Sequence, residues 1–279
     1  MGYQYSLAHL SVLRLSPAEM ITVAARTGYD FVSLRMTAVT TTERTFPLMD
    51  NPVMMHEAKA LLADTGLEVL DIELARLGPD DEPENFQAFL ETGAELGARH
   101  VICQLPDPDR DRAIERFARL CDMAKPLGLT VDLEFPSWTE TPDITETARV
   151  LNAVNRSNAG MLIDTLHVDR CRANLDELTT APRQWFNFIQ LCDAAKEIPA
   201  TEAGLIHTAR CDRQFPGDGG LNLQEMLACL PQVPYSLEIP NNKLINQLGA
   251  EEYAQRMLVA AKHYLEGDYR QSEREPLSA

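Results

Sequence analysis

Lysine and arginine are scarce in this chain: 25 stand against 42 aspartates and glutamates, a formal charge of −17 over 279 residues. Such a polyanion is repelled by nucleic acid and by anionic membrane surfaces, so neither is an expected partner. No CxxC pair occurs among the six cysteines, at 103, 121, 171, 192, 211 and 229, and most fall on or beside apolar stretches. They read as reduced buried thiols, not a disulfide framework. No apolar run approaches the roughly 20 residues a membrane span needs. Met1-Gly2-Tyr3-Gln4-Tyr5 also lacks the basic and apolar regions of a secretion signal. The expectation is a soluble, cytoplasmic protein. No GxGxxG or P-loop follows any strand candidate, so the usual nucleotide signature of an open, doubly wound sheet is missing.

What the chain does have is alternation. Short apolar runs at Tyr5–Ala8, Phe31–Leu34, Val69–Leu74, His100–Gln104, Thr130–Phe135, Met161–Asp164, Phe188–Leu191 and Tyr235–Ile239 suit strands buried on both faces of a parallel sheet. Helical patterns lie between them. Ser16-Pro17-Ala18-Glu19 is a capping box with proline at the first helical position, opening a helix to about Arg26. Residues 52–65 show helical apolar spacing and stop at Gly66; 84–97, 109–126, 144–155 and 249–265 behave similarly. Eight strands with intervening helices predict a single α/β domain, a (β/α)₈ TIM barrel over 1–267, with 268–279 a polar C-terminal tail. Two long connections, 36–51 with three consecutive threonines and 192–221 with two prolines and four glycines, would fall at the C-terminal rim where barrel active sites sit.

Acidic residues interrupt the strands at telling places. Thr-Val-Asp-Leu-Glu puts Glu134 at the end of strand five and Met-Leu-Ile-Asp puts Asp164 at the end of strand six. Phe-Ile-Gln puts Gln190 on strand seven, and Tyr-Ser-Leu-Glu puts Glu238 on strand eight. Each alone reads as a surface or salt-bridged group. Together they place three carboxylates and an amide in one barrel mouth, where burial without a counter-charge would cost several kcal/mol each. A divalent cation resolves that conflict. An all-oxygen shell of Glu134, Asp164, Gln190 and Glu238 favours Mn²⁺ or Mg²⁺, with Co²⁺ also admitted.

These residues resemble the xylose-isomerase-like TIM-barrel superfamily of sugar isomerases and epimerases, whose ligands are Glu, Asp, His and Glu on successive strands. Asp164-Thr-Leu-His167 matches the family's Asp-x-x-His, Glu140 a second glutamate beside the substrate, and Arg213-Gln-Phe-Pro-Gly-Asp-Gly219 its Arg-x-x-Pro-Gly-x-Gly. The resemblance implies that Glu134 and Glu238 are both ligand and base, and that His167 and Arg213 contact substrate. One departure stands out: Gln190 occupies the position of the usual histidine. Gln190 followed by Asp193-Ala194, the pair Arg210 and Arg213, and the Ser-Leu-Glu-Ile ending locally resemble the bacterial 3-dehydroshikimate dehydratase branch. The second arginine would suit a carboxylate-bearing substrate; a salt bridge to Asp212 is the structural alternative. His9 and Arg35, just past strands one and two, and Glu73 and Gln104 are further candidate substrate contacts.

The leading expectation is therefore a metal-dependent isomerase or epimerase acting on a small polyhydroxylated carbonyl compound through an enediolate. A lyase of the dehydratase type is the alternative. An endonuclease IV-type enzyme shares the barrel and the Asp-x-x-His element, but its trinuclear zinc site needs more histidines than the six here, mostly off the strand ends, and the charge is wrong for DNA. A barrel that merely binds a sugar would not need two bases. Homo-oligomerisation is left open.

Overall fold

The computed structural model describes residues 2–40 and 43–267. The tail expected at 268–279, and two of the three consecutive threonines, lie outside the described residues.

Among the described residues nine strands, all paired in parallel, follow the runs expected from the sequence: β1 (Tyr5–Ala8), β2 (Phe31–Arg35), β3 (Glu68–Arg76), β4 (His100–Gln104), β5 (Thr130–Leu133), β6 (Ala159–Met161), β7 (Ile163–Asp164), β8 (Ile189–Leu191) and β9 (Tyr235–Leu237). The sheet runs β6-β5-β4-β3-β2-β1-β9-β8-β7. Its two ends, β6 and β7, flank a single residue, Leu162, whose N–H donates to Leu133 O at 3.0 Å. The sixth expected strand is thus divided: one half pairs with β5 and the other with β8, which closes nine segments into an eight-staved barrel.

Helices wrap this barrel: α1 (Pro17–Thr27), α2 (Pro52–Thr65), α3 (Gln87–Glu95), α4 (Arg110–Ala124), α5 (Ile144–Val154), α6 (Thr165–Arg170), α7 (Leu175–Thr180), α8 (Glu202–Cys211), α9 (Leu223–Ala228), α10 (Asn242–Leu248) and α11 (Ala250–Glu266). The capping box at α1 forms as expected, with Ser16 and Glu19 each accepting from the other's backbone. Gly28 and Gly66 end α1 and α2 at φ of 87° and 73°, a left-handed conformation glycine adopts without Cβ strain. The 192–221 connection, expected as loop, contains α8, capped by Thr201. Pro199 and Gly204 sit at its start, where the capping turn tolerates them. None of the helices among the described residues is long and apolar enough to cross a membrane.

Two apolar layers hold the fold. The larger joins the outward side chains of the strands, such as Val32, Val69, Val131 and Ile163, to the helices through Ile21, Phe89, Phe117 and Met257. The smaller fills the barrel lumen with Phe31, Leu70, Leu74, Ile102, Leu162 and Phe188. The lumen floor is polar and tightly fitted. Asp132 accepts from Thr130 Oγ1 at 2.6 Å and from Asn187 Nδ2 at 2.7 Å, and burial pushes its carboxyl up to about 6. A Cβ on Gly160 would fall 2.1 Å from Asp132 Oδ1 and 2.7 Å from Asn187 Nδ2. Gly160→Ala should therefore cost about 3 kcal/mol in urea unfolding, as an overpacked core site; an unchanged midpoint would mean that the floor relaxes freely.

Candidate metal and substrate site

The two-residue period of the strands aims the rim. Thr130, Asp132 and Glu134 share one side of the fifth stave, and the Glu134 N–H still donates to Cys103 O at 2.8 Å beyond the last residue of β5. Asp164 ends β7 opposite Gln190, Gln190 lies opposite Ser236, and Glu238 follows β9. Asp164 also caps α6, accepting from Leu166 N at 2.8 Å, so that His167 lies one turn on over the same rim. Glu134, Asp164, His167, Gln190 and Glu238 are all buried; Glu134 and Asp164 cluster with His167, while Glu238 meets Gln190 directly and Asp164 through Arg213.

Arg213 ties the rim. Its Nη1 donates to Asp164 Oδ2 at 2.8 Å and its Nη2 lies 2.9 Å from Glu238 Oε2, with Nε donating to Ala209 O at 2.8 Å. His167 Nε2 sits 3.6 Å from both Glu134 Oε1 and Asp164 Oδ2. Burial works against a charge on His167, but Asp164 and Glu134 raise its pKa above the ordinary value. Burial likewise works to raise Glu134, yet His167, the Gln104 amide and Arg213 bring it below the usual carboxylate range. Glu238 goes the other way. Burial pushes it up to about 7, with Arg213 opposing and the Asp164 and Glu134 charges adding to the shift.

The donor set fits a hard cation on one observation above all. Gln190 commits its Nε2 to Glu238 Oε1 at 2.9 Å, which leaves Gln190 Oε1 buried with no hydrogen-bond partner. An orphaned amide oxygen beside carboxylates is what a cation satisfies. Single ligand atoms of Glu134, Asp164 and His167 also lie within 4.8 Å of one another. The rim therefore presents the His167 nitrogen beside its carboxylate oxygens.

Above this rim opens a narrow cavity of about 60 Å³. Its apolar wall is Leu74, Ile102 and Val39, and Trp138 stands edge-on to His167 at 5.2 Å between ring centroids. Arg35 lines it, bridging Glu73 at 2.9 Å and Glu43 at 2.6 Å. Burial holds Glu73 well above the carboxylate range despite Arg35. Gln104 also lines the cavity and donates to Glu134 Oε2. Arg210 lines the mouth, half-buried; the ion pair to Asp212 is not formed, and no carboxylate among the described residues pairs with it.

Two expected contacts are not brought to the cavity. His9 is fully buried beside it: its Nε2 donates to Leu15 O at 2.9 Å, its Nδ1 accepts from Arg35 N at 3.1 Å, and burial lowers its pKa to about 4. Glu140 is exposed: the turn after β5 directs Trp138 to the site and Glu140 to solvent. Trp138 and Glu43 were not anticipated. The signals for them are a tryptophan four residues past the strand-end Glu134 and an acid within the 36–51 connection.

A parallel barrel with an acid-rich C-terminal mouth is a broad class. The family model described as "Xylose isomerase-like TIM barrel" matches residues 21–260, and the chain belongs to that family. It is 26% identical to the inosose isomerase of Bacillus subtilis (strain 168) over 161 residues, 54% of this chain and 56% of that one. The chain thus aligns with little more than half the length of this curated relative. Among solved structures, the IolI protein with a bound zinc atom superposes with a TM-score of 0.75 at 19% identity, covering 94% of this chain and 99% of that one. The probable 3-DHS dehydratase AsbF of Bacillus anthracis gives 0.70 at 16%, covering 92% and 98%. These structures share the fold.

Cation binding should be pH-dependent. A carboxyl at about 7 must lose its proton to ligate, so Mn²⁺ affinity should rise as pH goes from 6 to 8 and level off above. Calorimetric titration across that window checks it; a flat affinity would remove Glu238 from the ligand set.

Proposed function

We propose that this chain is a divalent-metal-dependent isomerase or epimerase of a small polyhydroxylated carbonyl compound. The observation that carries the reading is the separation of Glu134 from Glu238. One is held ionised and the other sits near neutrality, both facing one buried rim. Paired carboxylates whose surroundings push their pKa values apart are suited to opposite proton-transfer roles. Glu134 would take the proton from the carbon beside a carbonyl, giving an enediolate, and Glu238 would return one to the adjacent carbon or the opposite face. His167 supports the acid role, since its raised pKa leaves a proton to donate to substrate oxygen.

Glu134, Asp164, Gln190 and Glu238 would hold the ion, with His167 adjacent. What a divalent ion supplies when bound is Lewis acidity at the carbonyl oxygen. The oxygen-rich set favours Mn²⁺ or Mg²⁺, while the zinc of the IolI neighbour and the nearness of His167 make zinc and cobalt worth testing. Leu74, Ile102 and Trp138 would exclude water from the reacting carbons.

Arg210 favours a second reading. A guanidinium half-buried at the mouth with no carboxylate partner suits an anionic substrate, which supports a lyase of the 3-dehydroshikimate dehydratase type on the same rim.

Proton NMR in D₂O, with each metal and with inosose, ketoses and 3-dehydroshikimate as substrates, tests both. Deuterium at the carbon beside a carbonyl with polyol products supports the isomerase; protocatechuate supports the lyase. Glu238→Gln should lower turnover at least ~100-fold by removing a ligand charge and the proton-returning group while the chain still folds; normal turnover would sink the assignment. Arg210→Ala should raise KM for a carboxylate substrate about 10-fold or more, the loss of one charge-assisted contact, and leave a neutral polyol nearly unaffected.

A further inference from the structure

Asp193, two residues past β8, is 2% exposed, and among the described residues no cation pairs with it. Its charge is met by backbone instead. Oδ1 accepts from Ala194 N at 2.8 Å and Leu221 N at 3.0 Å; Oδ2 accepts from Gly217 N and Gly219 N, each at 3.1 Å. Converging backbone N–H groups form an anion-binding nest, and here the chain's own carboxylate fills it. The segment is moulded on that group. Gly217 has φ of 93°, and a Cβ on Gly219 would fall 2.3 Å from Asp193 Oδ1 and 2.4 Å from Ala194 O.

This nest adjoins Arg213. Gln214 N donates to Asp193 O at 2.8 Å, and Asp193 N donates to Gln214 O at 2.9 Å. On the other side, Arg213 N donates to Pro240 O at 3.1 Å and Asn241 Nδ2 donates to Arg213 O at 2.8 Å. The backbone that carries the guanidinium is thus gripped from the ends of both β8 and β9. Without the carboxylate, three loop N–H groups lose their acceptor and the β8 side of the grip opens.

We propose that Asp193 is a positioning residue: it fixes the 214–221 loop, and through it holds Arg213 between Asp164 and Glu238. The proposal rests on reading Arg213 as part of the site, but its test needs neither metal nor substrate, so it stands or falls separately from the reaction assigned above. Asp193→Asn keeps the shape but turns an amide NH₂ toward N–H donors. Two observables separate positioning from bulk stability. Hydrogen exchange at Gly217, Gly219 and Leu221 should speed up about tenfold or more, the loss of at least one charge-assisted bond. The Nε–H resonance of Arg213, assigned by its absence in Arg213→Lys, should move or broaden in the nitrogen–proton spectrum. Asp218→Asn, an exposed acid in the same loop, should change neither. If Asp193→Asn fails to fold, Gly219→Ala disturbs the same nest with the carboxylate retained and should give the same two changes. An unmoved Arg213 signal beside freed loop amides would overturn the proposal, as would loop amides that keep their protection.

Discussion

The rim depends on one guanidinium. Glu134, Asp164 and Glu238 are buried together, and three such carboxylates would not stay ionised without compensation. Arg213, itself 2% exposed, bridges two of them and donates to the Ala209 carbonyl. Buried ion pairs of this kind are costly to break from one side, because the remaining charge is left without solvent or partner. Arg213 is also what keeps Glu238 from rising further, so the bridge sets the proton inventory of the rim as well as its shape.

The barrel makes that arrangement local. Parallel staves put alternate residues into the lumen, where Phe31, Leu70, Ile102, Leu162 and Phe188 form a dry layer below the rim. Beneath Asp164 and Gln190 that layer supplies Leu162 and Phe188, whereas Asp132 lies beneath Glu134 and Ser236 beneath Glu238, with Ser33 joining Ser236 to the buried Asp71. Desolvation is the largest influence on Glu134, His167 and Glu238 alike; what distinguishes them is which partner opposes it. Arg35 repeats the device on the opposite side, set between Glu73 and Glu43, the second of which comes from the long connection after β2. That connection contributes to the wall instead of merely linking elements.

Family membership and function rest on different observations. The barrel is shared by a zinc-bound IolI protein and a probable dehydratase, so the fold alone does not choose a reaction. The choice lies in a few side chains: Gln190 with its free oxygen, Arg210 without a carboxylate partner, and two glutamates with separated proton affinities. The proposal of an anionic substrate rests on Arg210 and that of proton transfer on the paired glutamates, all of which line one cavity.

The sequence by itself determined the barrel and four rim positions. Apolar runs with β-rich composition and capped helices between them are local signals, and Glu134, Asp164, Gln190 and Glu238 were legible because each breaks an apolar strand near its end. Helix α8 was hidden by Pro199, just ahead of its Thr201 cap, and by Gly204 in its first turn, both of which read as loop chemistry. The division of the sixth stave at Leu162 follows from closing the sheet, which no local pattern records. Only the tertiary structure decided which candidates meet. His9 and Glu140 sit at plausible spacings, yet one is consumed by backbone and the other faces solvent, because side-chain direction in a loop depends on packing and not on position in the chain. The same is true of proton affinity: residue types name the acids, but burial and the neighbours brought from distant strands settle which of them keeps its proton.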